Sequence, residues 1–463
     1  MSNILKNVCI QGLGYVGAAS LAAVANARAK TGRALYKVIG IDLNTKEGLK
    51  RIKAINSGRF PFKSNDNQLN EVLLEAKKEK RILATSKNSY FSKADVIIVN
   101  VPLDINWKLD APKFTFDQFD DAIDTIAKHV NPESLILIET TVPPGTCEKR
   151  VVPILEKIFL KRKISIDKIK LAYSYERVTP GPNYLDSIIN SWRVYSGYNK
   201  ESEEICKLFL SSFINTKKYP LTKLSSLTAT ETAKVMENSY RAVNIAFIEE
   251  WANFSEILGL NVHEIITAIK KRPTHSNIMQ PGFGVGGYCL TKDPLFPGIA
   301  SKQLFNIKSL KFPFSEMGVK INNNMPIVNL KRLVKFVKSI KNKNILILGA
   351  AYKSDVDDVR HSPTELFYKE AIAKGAKVDI HDPYISYWEN LDIKILNKLP
   401  SSKNYQIIVL AVSHSYYKDK KIINWLKKSS VVFFDTVHLY MEDEYRDLRS
   451  SGVKTIITGR GDM

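Results

Sequence analysis

A glycine-rich stretch, residues 281–294, carries the side chains whose types and spacing are best suited to chemistry. Four glycines fall within six residues, and Cys289, Lys292 and Asp293 follow them. Because glycine has no side chain to bury and loses the most backbone entropy on ordering, such a run predicts a loop that another group approaches closely. A cysteine thiolate is a nucleophile, which backbone amides or an ammonium stabilise. The stretch therefore predicts an active-site loop, and the alternative is a surface loop with a buried, inert cysteine.

The composition indicates a soluble protein of two or three domains. The chain has 463 residues, 44% of them hydrophobic. It contains no run of about 18 apolar residues, so we expect no membrane insertion. Its four cysteines lie far apart and form no CxxC pair, which argues against a zinc site or a disulfide framework. We expect a cytoplasmic protein with reduced cysteines and no bound metal.

The formal net charge of +21 is compatible with nucleic acid, a membrane surface or anionic small molecules as partners. The lysines of 161–170 and 331–343 are interleaved with apolar residues. This spacing is typical of solvated faces of amphipathic elements. We therefore expect no specific binding of nucleic acid.

A dinucleotide fingerprint opens the chain. A short apolar strand at 8–11 runs into a GxGxxG motif at 12–17, and an alanine-rich helix is expected from residue 18 to about residue 29. In this motif the first glycine makes the turn, the second admits the pyrophosphate and the third lets the helix pack closely on the strand. The pyrophosphate would lie at the helix N-terminus.

Asp42 ends the second predicted strand, 37–41. An acidic side chain at this position accepts hydrogen bonds from an adenosine ribose and repels a 2′-phosphate. The sequence therefore favours NAD over NADP, and a helix cap or an exposed turn acid is the alternative for Asp42.

Strands and helices then alternate, with buried strands predicted at 94–101, 134–139 and 170–174 and helices at 67–80 and 116–129. This order predicts a doubly wound parallel sheet that binds ligands at the carboxyl ends of its strands.

Several polar residues fall at those strand ends. Glu139 and Thr141 follow one strand and Glu176 follows another, where a nicotinamide or a substrate could be reached. Glu176 is the predicted acid–base carboxylate, and a structural glutamate is the alternative.

A long helix is predicted from about residue 224 to Gly259, because apolar residues recur at helical spacing without an internal proline or glycine. Lys234 and Asn238 lie four residues apart, so they share one face, where an ammonium and a carboxamide could converge on one oxygen. An ordinary surface pair is the alternative.

A second α/β unit follows residue 324, with strands predicted at 343–349, 376–380, 405–411 and 431–434. It has no GxGxxG motif, so we do not expect a second dinucleotide held in the same way. Lys353 and Arg360 lie on its first strand-to-helix loop and suit a phosphate or a carboxylate.

Taken in order, these motifs resemble the UDP-glucose/GDP-mannose dehydrogenase family. The resemblance rests on the dinucleotide unit, TVPPGT, an ERVxPG strand end, the Lys–Asn helix, GFGxGGxCxxKDP and a late DDxRxSP. It implies an α/β protein with two doubly wound Rossmann-like domains joined by a central helical domain with a long helix. The implied domains are an NAD-binding Rossmann domain at 1–215, a central dimerisation domain with the catalytic cysteine loop at 216–324, and a UDP-sugar-binding α/β domain at 325–463.

The resemblance also implies NAD as cofactor, a homodimer, and four-electron oxidation of C6 of a nucleotide sugar to a carboxylate for polysaccharide biosynthesis. The aldehyde formed first would be attacked by Cys289 to give a thiohemiacetal, which is oxidised to a thioester and hydrolysed. The implied catalytic residues are Cys289, Asp293, Lys234, Asn238, Glu176 and Thr141. The implied cofactor-binding residues are Gly12, Gly14, Tyr15, Val16, Gly17, Asp42, Pro102 and Thr141. The implied substrate-binding residues are Glu176, Arg177, Lys234, Asn238, Gly286, Lys353 and Arg360.

The substrate is open between branches of this family. The ERVTPG run at 176–181 and the segment 277–282 resemble the branch that oxidises UDP-N-acetylhexosamines, whereas Phe283 and Lys292 resemble the UDP-glucose branch. We expect a UDP-N-acetylhexosamine, then UDP-glucose, then GDP-mannose. A non-catalytic dinucleotide sensor or a basic nucleic-acid-binding protein is the alternative from a different class.

Three departures from the family pattern concern substrate binding. The arginine that reaches a neighbouring subunit has only Arg272 and His275 as offset candidates. The segment 435–438 replaces a late DxRN run, and Tyr175 replaces the usual proline before the glutamate.

Overall fold

The computed structural model describes residues 6–106 and 113–462. Chain contacts divide it into two compact units. The first comprises the described residues up to Met236 together with Phe296–Lys311, and the second comprises Glu237–Leu295 and the described residues from Phe312 onward.

The first unit is built on a mixed sheet of eight strands in the order β10-β9-β8-β7-β4-β1-β2-β3. All neighbouring strands run parallel except β8 and β9. Two further short strands, β5 and β6, form an antiparallel pair. The strands are β1 (Lys6–Gln11), β2 (Tyr36–Ile41), β3 (Ile82–Thr85), β4 (Val96–Val99), β5 (Ile105–Asn106), β6 (Lys113–Phe114), β7 (Leu135–Ile138), β8 (Leu171–Tyr173), β9 (Val194–Gly197) and β10 (Thr222–Lys223).

Helices connect these strands as the alternating pattern predicts. They are α1 (Tyr15–Ala25), α2 (Lys46–Asn56), α3 (Asn67–Lys78), α4 (Asp117–His129), α5 (Val152–Lys161), α6 (Tyr184–Ile189) and α7 (Lys200–Ser211). Helix α1 is buried from Gly17 to Ala25, because its small alanines let it lie close against the sheet. It begins three residues earlier than predicted, since Gly14 is its N-cap, and it ends at Ala25, with Asn26 as its C-cap, rather than near residue 29.

A 32-residue helix, α8 (Leu227–Leu258), runs from the first unit into the second. It ends before Gly259, whose φ of +71° stops the helical path at low cost. Helices α9 (Val262–Lys270), α10 (Phe296–Gln303) and α11 (Pro313–Val337) follow. The boundary predicted at residue 324 falls within α11, and the three-domain division stays a prediction.

The second unit contains a parallel sheet of five strands in the order β12-β11-β15-β16-β17. Its strands are β11 (Asn344–Leu348), β12 (Lys377–His381), β15 (Ile407–Leu410), β16 (Val432–Asp435) and β17 (Lys454–Ile457), with a small hairpin of β13 (Tyr387–Trp388) and β14 (Ile393–Lys394). The helices of this α/β sheet are α12 (Pro363–Ala373), α13 (Lys420–Leu426) and α14 (Glu442–Ser450). Separate apolar cores pack around the sheet.

The predicted fold class is confirmed: an α/β chain with two Rossmann-like sheets and a long helix between them in sequence. Predicted strands fall within about three residues of their observed ends. In the described ranges, no helix is both long and apolar enough to cross a membrane.

Candidate active site

Two of the three fingerprint glycines, Gly12 and Gly17, lie where only glycine fits. Gly12 has a φ of +87°, and a Cβ there would lie 2.8 Å from the Asn100 carbonyl oxygen. A Cβ on Gly17 would lie 1.8 Å from the Gly12 carbonyl oxygen. At Gly14, by contrast, no atom of the described residues beyond its two chain neighbours comes within 4 Å of the position a Cβ would take. The open space therefore lies at the second glycine, where the motif admits a pyrophosphate.

The N-terminus of α1 faces this space. Its N-cap is Gly14, and within the described ranges no side chain caps the helix. Tyr15 stacks on Phe62 with ring centroids 3.9 Å apart, while Val16 is half-buried. Uncapped backbone N–H groups and the helix dipole favour an anion here, so the residues present fit a dinucleotide.

Asp42 is engaged by protein groups. Arg51 donates to both carboxylate oxygens, at 2.7 Å from Nε and 3.2 Å from Nη2. The backbone N–H groups of Leu13 and Leu43 also donate to it, at 3.3 and 2.8 Å. A carboxylate offers about four lone-pair sites, so a ribose hydroxyl must replace one of these donors. The repulsion of a 2′-phosphate predicted for Asp42 is weakened by the adjacent Arg51.

A buried ion pair between Glu139 and Arg193 lies at the carboxyl end of β7. Glu139 accepts hydrogen bonds from Ser20 Oγ at 2.8 Å, Asn100 Nδ2 at 3.0 Å and Arg193 Nη1 at 3.0 Å. Both Glu139 and Arg193 are buried. Because removing one member of a buried pair strands the other charge, such a change typically costs about 3–5 kcal/mol. Through its hydrogen bonds with Asn100 and Ser20, Glu139 also ties the carboxyl ends of β4 and β7 to α1.

The loop after β7, which carries Thr141, is held by Glu231 of α8. Glu231 accepts the backbone N–H groups of Gly145 at 2.5 Å and of Cys147 at 2.8 Å. It is fully buried, and this burial raises its pKa to about 7 despite the two N–H donors. Pro102, another predicted cofactor residue, lies exposed after β4.

Glu176 and Lys234 lie together in the first unit. Lys234 is buried, and its Nζ donates to the Glu176 backbone oxygen at 3.1 Å. The same ammonium lies 5.1 Å from the ring centroid of Tyr175. Burial raises the pKa of Glu176 above its ordinary value, while the Lys234 charge acts in the opposite direction. A raised carboxyl pKa suits an acid–base group near neutral pH.

Asn238 and Asp293 form the corresponding pair in the second unit. Asn238 Nδ2 donates to Asp293 Oδ2 at 2.8 Å, and Lys292 Nζ donates to Oδ1 at 2.8 Å. All three side chains are buried. Lys234 and Asn238 lie four residues apart on α8.

Cys289 differs from the other three cysteines in exposure. Cys9, Cys147 and Cys206 are buried, and burial raises the pKa of each thiol. Cys289 is exposed, which excludes the alternative of a buried, inert cysteine. Its carbonyl oxygen accepts the backbone N–H groups of Lys292 at 3.2 Å and Asp293 at 2.9 Å. This turn holds the thiol and the carboxylate in a fixed relation.

Other segments of the chain lie close to the glycines of the cysteine loop. A Cβ on Gly284 would lie 2.7 Å from Pro363 Cβ, and one on Gly287 would lie 2.6 Å from the Tyr352 ring. At Gly286 the nearest atom would be the His361 carbonyl oxygen, at 2.6 Å. These glycines let the loop dock on the loop after β11.

Arg360 and Lys353 lie on that second loop. Arg360 is pinned by a bidentate ion pair with Asp358, with Nη2–Oδ2 at 2.7 Å, and its side chain remains 44% exposed. Both Arg360 and Lys292 face the ring of Tyr288, at 5.5 and 4.6 Å from its centroid. Burial, and then the charge of Arg241, lowers the pKa of Lys353. The positive charges of Arg360 and Lys353 on this loop suit a diphosphate.

Sequence patterns do not reveal some of these residues. Arg193 and Glu231 make their contacts across 54 and 86 residues of chain, and no local pattern marks them. Tyr175 was marked only as a departure from the family pattern. The arginine candidates Arg272 and His275 both lie exposed after α9.

Fold and site together define the class of the protein as an oxidoreductase that uses NAD. Residues 6–213 match the NAD binding domain of the UDP-glucose/GDP-mannose dehydrogenase family, residues 228–324 its central domain and residues 346–442 its UDP binding domain. The chain belongs to this family, as its motifs indicate.

Three relatives illustrate the similarity. UDP-N-acetyl-D-mannosamine dehydrogenase of Methanocaldococcus jannaschii is 31% identical over 468 residues, which covers 99% of this chain and 98% of the relative. The solved structure of the Pyrococcus horikoshii UDP-D-ManNAc dehydrogenase matches with a TM-score of 0.81 at 25% identity, covering 99% of this chain and 100% of that one. The NDP-N-acetyl-D-galactosaminuronic acid dehydrogenase of Methanosarcina mazei Go1 matches with a TM-score of 0.79 at 26% identity, covering 99% and 96%.

Proposed function

We propose that this dehydrogenase oxidises C6 of a UDP-N-acetylhexosamine by four electrons to the uronic acid, with UDP-N-acetyl-D-mannosamine as the first candidate. The observation that carries the reaction is the exposed thiol of Cys289 one turn from the buried Asp293 carboxylate. The names of the relatives, which act on N-acetylated sugars, support the substrate.

Cys289 is the proposed nucleophile. When bound, NAD supplies the two-electron acceptor for each of the two oxidations. After the first, the thiolate adds to the aldehyde carbon at C6, forming a carbon–sulfur bond and keeping the intermediate on the enzyme as a thiohemiacetal. After the second, the adduct is a thioester, and water cleaves the carbon–sulfur bond to release the carboxylate and regenerate the thiol.

Lys234 and Asn238 are the proposed stabilisers of the negative charge that develops on the C6 oxygen. Their spacing on α8 brings an ammonium and a carboxamide to the same face of the helix. Asn238 Nδ2 carries two hydrogens, and Asp293 accepts one of them. Removing one such donor typically costs about 3–4 kcal/mol of transition-state stabilisation.

Asp293, Glu176 and Thr141 are the proposed proton-handling and water-holding groups. Asp293 is held by Asn238 and Lys292, so its carboxylate is fixed in orientation. Glu176 has a raised pKa and therefore holds and releases a proton nearer neutral pH than an ordinary carboxyl. Thr141 lies on the loop that Glu231 braces, two residues beyond Glu139.

The nucleotide part of the substrate is assigned to the polar residues of the second α/β sheet. Lys353 and Arg360 lie on the loop after β11, and Gly286 packs against that loop. Arg360 is already oriented by Asp358 and still exposes 44% of its side chain. We assign Lys353 and Arg360 to the diphosphate, and Gly286 and Arg177 to the sugar.

A homodimer is part of the proposal, because α8 exposes an apolar stripe within the second unit. Phe247, Trp251 and Phe254 are 48%, 45% and 50% exposed, and their rings contact one another in sequence. Tyr240 and Leu258 continue the stripe at helical spacing, with 54% and 55% exposed. Contiguous exposed aromatic surface of this kind marks protein interfaces. A cytoplasmic location is also proposed, since all four cysteines are free thiols, which suits a reducing compartment.

The substrate is tested by measuring NADH formed per nucleotide sugar consumed. UDP-N-acetylmannosamine, UDP-N-acetylglucosamine, UDP-glucose and GDP-mannose are compared in parallel at 340 nm. Two NADH per molecule with an N-acetylated sugar, and a much lower kcat/KM with the others, is the expected result. Turnover confined to UDP-glucose or GDP-mannose would contradict the substrate, and one NADH per sugar would contradict the four-electron reaction.

A further inference from the structure

Tyr175 contacts two side chains of the proposed site, Lys234 and Arg177. It follows β8 directly before Glu176, and it is 1% exposed. The Lys234 ammonium lies 5.1 Å from its ring centroid, and the Arg177 guanidinium lies 5.2 Å from it. The hydroxyl of Tyr175 accepts a hydrogen bond from Arg177 Nη2 at 3.2 Å.

The ring face is a suitable support for a lysine that must donate to a developing oxyanion. The face of an aromatic ring carries partial negative charge and attracts an ammonium without a localised lone pair that would take up one of its hydrogens. A lysine side chain is flexible, so it needs such contacts to be held in one geometry. Besides the ring, the Glu176 backbone oxygen accepts from Lys234 Nζ at 3.1 Å. The ring and this carbonyl together define where the ammonium lies.

The hydroxyl of Tyr175 acts on a different partner. Arg177 donates from Nη2 to this hydroxyl and from Nη1 to the Trp192 backbone oxygen. The guanidinium is therefore anchored on two sides, and its direction depends on the phenol oxygen. The ring of Tyr175 therefore contacts both cations, Lys234 and Arg177, whereas its hydroxyl accepts a hydrogen bond from Arg177.

We propose that Tyr175 is a positioning residue, whose ring fixes Lys234 for C6 oxidation and whose hydroxyl fixes Arg177 for substrate binding. This inference rests on the proposed function, which gives Lys234 and Arg177 their roles. It extends that function to Tyr175, a residue to which the proposed function gives no role. Because a cation–π contact in a desolvated site contributes up to about 2 kcal/mol, its loss should change kcat by about 10- to 30-fold.

A double-mutant cycle with Lys234 tests the ring contact. Tyr175→Leu should lower kcat about 10- to 30-fold in the wild-type background, with the KM for NAD unchanged. In a Lys234→Met background, the same change should lower kcat no further, because the ammonium that the ring positions is gone. Equal losses of kcat in the two backgrounds would overturn the proposal and leave Tyr175 as a core residue.

Two variants that preserve the ring separate the contacts and remain informative if Tyr175→Leu does not fold. Tyr175→Phe should keep kcat within about twofold while raising the KM for the UDP-sugar. Replacing Tyr175 with pentafluorophenylalanine, which reverses the charge of the ring face at similar shape, should also lower kcat about 10-fold or more. An unchanged kcat in the fluorinated protein would overturn the role of the ring, and an unchanged KM in Tyr175→Phe would overturn that of the hydroxyl.

The outcomes also distinguish this inference from the proposed function. If Lys234→Met itself leaves kcat unchanged, the proposed role of Lys234 fails, and the inference fails with it. If Lys234→Met lowers kcat to a small but measurable value while Tyr175→Leu costs the same factor in both backgrounds, only the inference fails. Thermal unfolding and NAD binding measured on each variant confirm that the proteins compared are folded.

Discussion

At the scale of single residues, the chemistry depends on which side chains the fold leaves exposed and which it buries. Cys289 is exposed, whereas the three other thiols are buried and have raised pKa values. Asp293 and Asn238 show the opposite arrangement, since they are buried and hydrogen-bonded to each other. A nucleophile must be reached by its substrate, while a positioned carboxylate gains from burial and fixed partners.

Asp42 gives the first prediction at this scale. Asp42→Ala should raise the KM for NAD about 10-fold or more, because a charged acceptor for the ribose is lost. It should also lower the KM for NADP, because Arg51 is then released from its partner and available to a 2′-phosphate. The measurement is the initial rate with each cofactor.

The double variant Asp42→Ala/Arg51→Ala is the control for that effect. It should lose the gain with NADP and keep the defect with NAD. An unchanged KM for NADP in Asp42→Ala would show that Arg51 does not act on cofactor choice.

At the scale of elements, the central strands of both sheets and the helices α1 and α8 could be predicted from the sequence, whereas the strands β3, β9, β10 and β17 were not predicted. The GxGxxG motif, the strand-end residues and the glycine-free run of α8 each follow local rules of backbone conformation. The contacts that brace the site could not be predicted in this way. Glu231 reaches Gly145, and Arg193 reaches Glu139, only because the folded sheet brings distant segments together. Sequence periodicity carries no information on such pairs.

The hydrogen bonds of Glu231 with the loop after β7 give a prediction about stability. The pKa of Glu231 is raised to about 7 by burial, from an ordinary value near 4.5. The folded state therefore binds a proton that the unfolded state has released, and the free energy of unfolding should fall as pH rises from about 4.5 to about 7. A shift of this size corresponds to roughly 3 kcal/mol over that range.

Glu231→Gln removes the titrating group, so the variant should show a flatter dependence of stability on pH. Urea unfolding of both proteins at pH 5, 6 and 7 measures the difference. Other buried carboxyls, such as Glu249, are present in both proteins and cancel in the comparison. If the free energy of unfolding depended on pH in the same way in wild type and variant, the raised pKa of Glu231 would be contradicted.

At the scale of the whole molecule, the chain combines an NAD binding domain and a UDP binding domain of one family with a long helix between them in sequence. The net charge of +21 suits an anionic cofactor and an anionic substrate, because positive potential raises their local concentration. The exposed aromatic stripe on α8 carries no charge that would attract small anions. It suits a second copy of the chain instead.

The dimer prediction belongs to this scale. Phe247→Glu combined with Trp251→Glu should convert the protein to a monomer, because two charges cannot be buried unpaired in an apolar interface. Sedimentation velocity measures the change. Leu208→Glu, on a residue of α7 that is 70% exposed, is the matched control and should leave the assembly intact. An unchanged sedimentation coefficient in the double variant would place any interface elsewhere.

The central claim is that Cys289 carries the sugar between two oxidations, and the stoichiometry of a Cys289→Ser variant tests it most directly. The variant should bind NAD and the UDP-sugar with constants close to those of the wild type, yet accumulate no uronic acid, because its hydroxyl cannot form the thioester. Cys206→Ala, which removes a buried thiol, serves as control and should yield two NADH per sugar. Two NADH and one uronic acid per sugar from Cys289→Ser, at the wild-type rate, would contradict the account.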